Sequence, residues 1–178
     1  MKKTILSLLS MLLMVCCASA QTNVAASTSS DKLYKHSGET LDVKIIKVGE
    51  FTVTYKFPGE DAEQVISKLA VGKIAYSSGR TEEMSEKVVV SGKGDWENVQ
   101  ILTDKAQVVG LKKGDEVRGK TSGMLSYNSA GSADKKASKK IKEAAADAGS
   151  PFILLTSDKS DGFGVKQSVK NGVMYSYK

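Results

Sequence analysis

The sequence predicts an α+β protein: a small β-barrel-like N-terminal module, then a β-rich second domain with one helix packed on a sheet. Three observations predict it. Short alternating segments separated by glycine turns fill residues 31–80, a helical apolar period runs over 132–148, and an unbroken apolar run follows at 151–156.

Residues 1–20 read as a secretory signal, with Lys2 and Lys3, an apolar run over 5–17, and Ala18-Ser19-Ala20 as a small-x-small cleavage site. The run of 13 residues is well short of the roughly 20 that span a bilayer, and nothing later is apolar enough, so no transmembrane segment is expected after processing. Cys16 and Cys17 are the two cysteines. A lipid anchor on either is the alternative to cleavage after Ala20, although Val15 departs from the leucine and small residues that normally precede a lipid-modified cysteine. Cleavage after Ala20 leaves 158 of 178 residues and no cysteine, hence no disulfide and no thiolate metal site. The expected location is exported, periplasmic or outer-membrane-associated.

The chain has 26 basic and 20 acidic residues, a formal charge of +6 that falls to +4 without the two signal lysines. That balance is mild, and with export it sets nucleic acid aside as a partner.

Residues 21–30 are polar without an apolar period and read as a flexible tether. The N-terminal module follows over 31–80, with strands expected at 32–35, 39–48, 51–57, 64–67 and 73–76. Phe51, Val53, Tyr55 and Phe57 alternate with polar residues, and Gly38, Gly49, Gly59 and Gly79 mark turns. The spacing of Asp31, Leu33, Tyr34, Gly38, Ile45, Tyr55, Ile74, Tyr76 and Gly79 resembles a short module of secreted bacterial proteins of uncharacterised function. That resemblance implies fold and export, and no catalytic residue.

The polar stretch 81–86 reads as a linker, and the α+β domain takes 87–178. Strands are expected at 87–90, 97–102, 106–111 and 116–120, and 123–132 reads as a loop. Ser132 is the expected N-cap of the helix. Ala133, Ala137, Ile141, Ala145 and Ala148 form its apolar face, which Ala144 widens; alanines there would let the helix approach a sheet closely. Gly149 and Pro151 stop it. Residues 151–156 are the expected central strand, and 165–177 the last, with Asn171-Gly172 read as a bulge in one long strand rather than a hairpin turn. The order of alanine-rich helix, Gly149, apolar strand and Gly172-Val173-Met174-Tyr175 is similar to the Rcs stress-sensor lipoproteins. It implies an α+β layer and an envelope location, but those proteins use disulfides in this region and this chain has no cysteine there.

Tests for catalytic chemistry return little. Residues 114–121 match the P-loop pattern by letter, but a phosphate loop must run straight into a helix, and Ser122-Gly123 follows. A strand is the better reading. His36 is the single histidine, beside a turn, and with no second histidine or cysteine a zinc site lacks ligands. Asp158, Asp161 and Gly162 share a loop without the alternation of a calcium site. No metal or cofactor is expected.

Binding chemistry is better represented. Lys135, Lys136, Lys139, Lys140 and Lys142 crowd the first half of the helix, where the macrodipole disfavours cations by a few tenths of a kcal/mol. They are the candidate ligand-binding residues, with anionic envelope lipid, polysaccharide or another envelope protein as the partner. Trp96, Tyr127, Tyr175 and Tyr177 are candidates for a sugar- or peptide-binding surface. The expected function is therefore a non-enzymatic exported binding protein of the bacterial cell envelope. The alternatives are an assembly subunit pairing through an edge strand at 165–177, and a hydrolase of envelope glycan or peptide.

Overall fold

The computed structural model describes residues 30–122, 130–161 and 167–177. The expected signal, nearly all of the tether, Tyr127 and Gly162 lie outside them.

The first sheet contains β1 (Asp31–Lys35), β2 (Thr40–Val48), β3 (Thr52–Lys56), β4 (Glu63–Ser67), β5 (Val71–Ala75) and β6 (Thr81–Glu83). Its order is β4-β3-β2-β1-β5-β6, with every pairing antiparallel. Alternation works as the sequence implies: Val53 and Tyr55 are buried while Thr52, Thr54 and Lys56 are less covered. The Asp31 carboxylate accepts hydrogen bonds from Ile45 N at 2.9 Å and Ser77 N at 2.8 Å, tying β1 to β2 and to the turn after β5. Burial alone would raise the pKa of Asp31, but these amides, with Lys44 nearby, hold it below the usual carboxylate range.

The barrel-like expectation needs correction, because this sheet is open and no closed barrel forms among the described residues. The reason lies in the core. Leu33, Val43, Val53, Ile66, Val71 and Ile74 pack against Leu102, Val108, Leu111, Phe152 and Leu154, so a second sheet supplies the cover that closure would have given. The first half of the stretch read as a linker is β6, on the edge of the first sheet.

The second sheet has the order β7-β9-β10-β8, from β7 (Gln100–Leu102), β8 (Lys112–Ser122), β9 (Phe152–Asp161) and β10 (Gln167–Ser176). Strand β7 runs parallel to β9 and the other pairs are antiparallel. The apolar run at 151–156 is an interior strand, as expected. Phe152 and Leu154 face the first sheet, while Ile153 faces the other way, toward Ile141 of the helix. The result is sheet on sheet on helix.

Helix α1 (Ala130–Asp147) starts two residues before the expected cap, so Ser132 lies inside it; alanine at 130 is a strong helix former, and an interior serine costs little. Ala133, Ala137, Ile141 and Ala145 are buried, but Ala144 and Ala148 are exposed and Ala146 is buried instead. Each step of four advances about 40° around the helix, so the stripe winds, and its last turn is covered by the segment carrying Trp96 and Val99. Gly149 (φ +66°) ends the helix: its N–H donates to Ala146 O and Ser150 N donates to Ala145 O, a Schellman cap. The alanine stripe brings the helix so near β8 that a Cβ built on Gly119 would lie 2.4 Å from Ala137 O.

Of the other expected strands, 87–90 and 106–111 are absent and 97–102 is shortened to β7. Residues 87–90 run as a strap without ladder pairing, 93–98 form a 3₁₀ turn ahead of β7, and 105–108 form another, capped by Asp104. Asn171-Gly172 is a bulge within one long strand, where a Gly172 Cβ would meet Ile153 Cγ2 at 2.6 Å. The expected edge at 165–177 is interior over its described strand: β10 is bonded on both sides, by β8 and β9. Lys170, 5% exposed, pairs with Asp134 of α1 at 2.9 Å and Asp158 of β9 at 2.5 Å, joining helix to sheet.

Candidate anion-binding face

The five helix lysines occupy one arc. At about 100° per residue, Lys142, Lys135, Lys139, Lys136 and Lys140 fan over roughly 160° of the face opposite the buried Ile141. Lys135, Lys136, Lys139 and Lys140 are exposed and Lys142 is partly covered. They stand within about 11 Å along the axis at 1.5 Å per residue. Burying the alanine stripe forces this outcome, because it fixes which side of the helix meets water.

The 3₁₀ turn Lys93–Asn98 delivers Trp96 to the same place. Ser91 N donates to the Asp95 carboxylate at 2.8 Å and Asp95 N to Gly92 O at 3.0 Å, which shapes the turn. At its other end Gln100 N donates to Pro151 O, and β7 locks onto β9. Trp96 therefore packs beside α1, with Lys139 Nζ 4.9 Å from the indole centroid, a cation–π contact worth about 0.5–1 kcal/mol at an exposed site.

Two hollows flank the ridge of Lys136 and Lys139. One, about 420 Å³, is lined by Trp96, Lys135, Lys136, Ser138, Lys139 and Lys142. The other, about 320 Å³, lies toward β8 between Thr121, Lys140 and Glu143. Lys140 Nζ donates to Lys120 O at 2.9 Å. Glu143 lies 3.7 Å from Lys93 and 3.8 Å from Lys139, exposed pairs worth about 0–1 kcal/mol each. Six lysines (the five and Lys93) less Glu143 and Asp147, which falls in the same arc, make +4 on this face, against a whole-chain +6. The rest of the chain sums to +2. A balance that is mild overall is thus concentrated on one side of one helix.

Sequence reasoning found the lysines and, separately, Trp96, but not that they meet; Lys93 was missed. Tyr175 and Tyr177 do not join them. Tyr177 sits in the seam between the sheets, edge-on to His36 at 5.1 Å and Phe152 at 5.4 Å, and its hydroxyl accepts from Val88 N.

His36 is part of that seam. Ser85 Oγ lies 3.0 Å from Lys68 O and 2.9 Å from Val71 O, and these carbonyls claim its proton, so His36 Nε2–H donates to Ser85 Oγ at 2.9 Å. The imidazole is then a donor to the hydroxyl, the reverse of a base activating a nucleophile. Burial pushes the His36 pKa down and Lys87 adds to it, against a Ser85 hydrogen bond that raises it.

The P-loop match lies wholly within β8, so it is extended backbone paired with β10 and no helix follows it directly. Asp158 is occupied by Lys170. Among the described residues no group of three or more His, Cys, Asp or Glu is placed to hold a metal, and no helix is long and apolar enough to cross a membrane. No family model, curated protein or solved structure matches the chain significantly.

Proposed function

We propose that this is an exported, non-enzymatic binding protein of the bacterial cell envelope whose recognition surface is the lysine face of α1, and whose ligand is an anionic envelope component. One observation leads to this reading: most of the net charge gathers on one helix face, beside the only tryptophan. Like charges so close repel one another in the free protein, and an anion relieves that repulsion. The signal-like residues 1–20 support export. The use of the only histidine as a hydrogen-bond donor between the sheets supports binding over catalysis.

The test is co-sedimentation and gel retardation of residues 21–178 with anionic vesicles and with an acidic polysaccharide, from low to physiological salt. Binding to at least one polyanion should weaken steeply with salt. The joint change of Lys135, Lys136, Lys139 and Lys140 to Gln should remove most of it. Binding that survives this change would reject the site, and binding indifferent to salt would reject the chemistry.

A further inference from the structure

Resting on that reading, we infer that the ligand at this face is an acidic polysaccharide, with Trp96 as the platform on which one sugar ring stacks and the lysines of α1 pairing with its carboxylate or sulfate groups.

Three features point to a sugar polymer rather than a lipid surface. First, the hollow beside Trp96 is walled by the indole and by lysine stems, whose methylenes are apolar while their ends are charged. Its volume of about 420 Å³ falls in the range of small-ligand sites, and a sugar ring with one apolar face and charged substituents matches those walls. Second, the apolar stripe of α1 is spent on the sheet. Ala133, Ala137, Ile141 and Ala145 are 0–5% exposed, which leaves the helix nothing to insert below a headgroup layer. Among the described residues, the large hydrophobic residues that are exposed, Ile46, Val65, Val89 and Val109, belong to other segments. Third, every cation on the face is a lysine; the two arginines of the chain, Arg80 and Arg118, lie on or beside strands β6 and β8. Lysine is a point charge without the fork that reads one phosphate or carboxylate bidentately, so the face reads charge spacing along a repeating polymer.

Trp96 is partly buried against the core, so one ring of the polymer stacks on the indole surface that lines the hollow, beside Lys139. Lys135 and Lys142 on the near side, and Lys136 and Lys140 across the ridge, then meet charges on successive sugar units.

The single tryptophan makes the test site-specific, since all indole emission comes from Trp96. Residues 21–178 are titrated with polygalacturonate, with neutral dextran, and with vesicles containing phosphatidylglycerol, following tryptophan fluorescence and, in parallel, the bound fraction by sedimentation. Polygalacturonate should bind and shift or quench the emission, and dextran should do neither. Trp96→Leu should weaken polygalacturonate binding about 3- to 10-fold. Trp96→Phe keeps a ring in the same place and should recover part of that loss, which guards against a folding defect in the leucine variant. Polygalacturonate binding with unchanged emission and an indifferent Trp96→Leu variant would overturn the stacking proposal while leaving the lysine face intact. Vesicle binding without polygalacturonate binding would overturn the sugar and leave the anionic-envelope reading standing. Failure of both polyanions to bind would remove both readings together.

Discussion

Gly119→Ala is the sharpest perturbation of the framework that presents the lysine face. The added Cβ would lie 2.4 Å from Ala137 O and 3.3 Å from Ile141 N, both backbone atoms of α1. Carbon meets a carbonyl oxygen comfortably at about 3.3 Å, so the helix must retreat by roughly 0.9 Å at this point. A gap of that size forfeits about a quarter to a half of the dispersion energy where the alanine stripe touches the sheet, and overpacking of this kind costs about 1–3 kcal/mol. Backbone on both sides puts the cost in the upper half of that range. Losing glycine's freedom in the unfolded chain offsets about 0.4–1 kcal/mol. The net loss should be about 1–2.6 kcal/mol, or roughly 2–10 °C in Tm for a chain of this size. Urea and thermal unfolding by circular dichroism measure it, with Gly94→Ala as control, since a Cβ there meets nothing within 4 Å and should change stability by less than about 0.5 kcal/mol. A Gly119→Ala loss below about 0.5 kcal/mol would refute the close approach of helix to strand.

Further outcomes follow from the other anchors. Asp31→Ala leaves Ile45 N and Ser77 N without their charged acceptor and should cost about 2–3 kcal/mol in urea unfolding. Because the pKa of Asp31 is lowered in the fold, its contribution is present above about pH 3.9 and lost as pH falls through the depressed value; Asp31→Asn should flatten the acid limb of a stability–pH curve. His36 is also depressed, by burial first, so the folded chain binds fewer protons than the unfolded one below about pH 6.5. Stability should be full above that pH and fall as the pH drops toward the folded pKa, and His36→Gln should remove this dependence. Lys170→Met should cost about 1–3 kcal/mol, less than a fully buried pair, because the Asp134 and Asp158 side chains are 44% and 45% exposed and water screens the charge left behind.

What could be read ahead of the structure follows the range of the forces involved. The first five strands were legible because alternation at Val53 and Tyr55 and the turns at Gly38, Gly59 and Gly79 are local signals. So were the Gly149 stop and the bulge at Gly172. The strap at 87–90 misled because three valines in succession imitate a strand; Val88 packs on one core, Val90 on the other, and Val89 points to solvent at 61% exposure, with no ladder partner. The 3₁₀ turns at 93–98 and 105–108 each depend on a single aspartate, Asp95 accepting from Ser91 N and Asp104 capping from in front, which leaves no periodic trace. The barrel expectation failed because it assigned the N-terminal sheet a core of its own, whereas Phe152 and Leu154, about seventy residues beyond its last strand, complete it. The lysines were visible at helical spacing. Their meeting with Trp96 and Lys93 was not, since it depends on Pro151 O and β9 placing the 93–98 turn against the helix.

The most direct measurement of the central claim is the affinity of residues 21–178 for a polyanion as a function of salt, compared with the four-lysine variant Lys135→Gln, Lys136→Gln, Lys139→Gln and Lys140→Gln. Counterion release predicts a straight fall of log affinity with log salt, shallower in the variant by about 3 and displaced to weaker binding throughout. Parallel lines of equal affinity would contradict it, because the charge on α1 would then have no part in recognition.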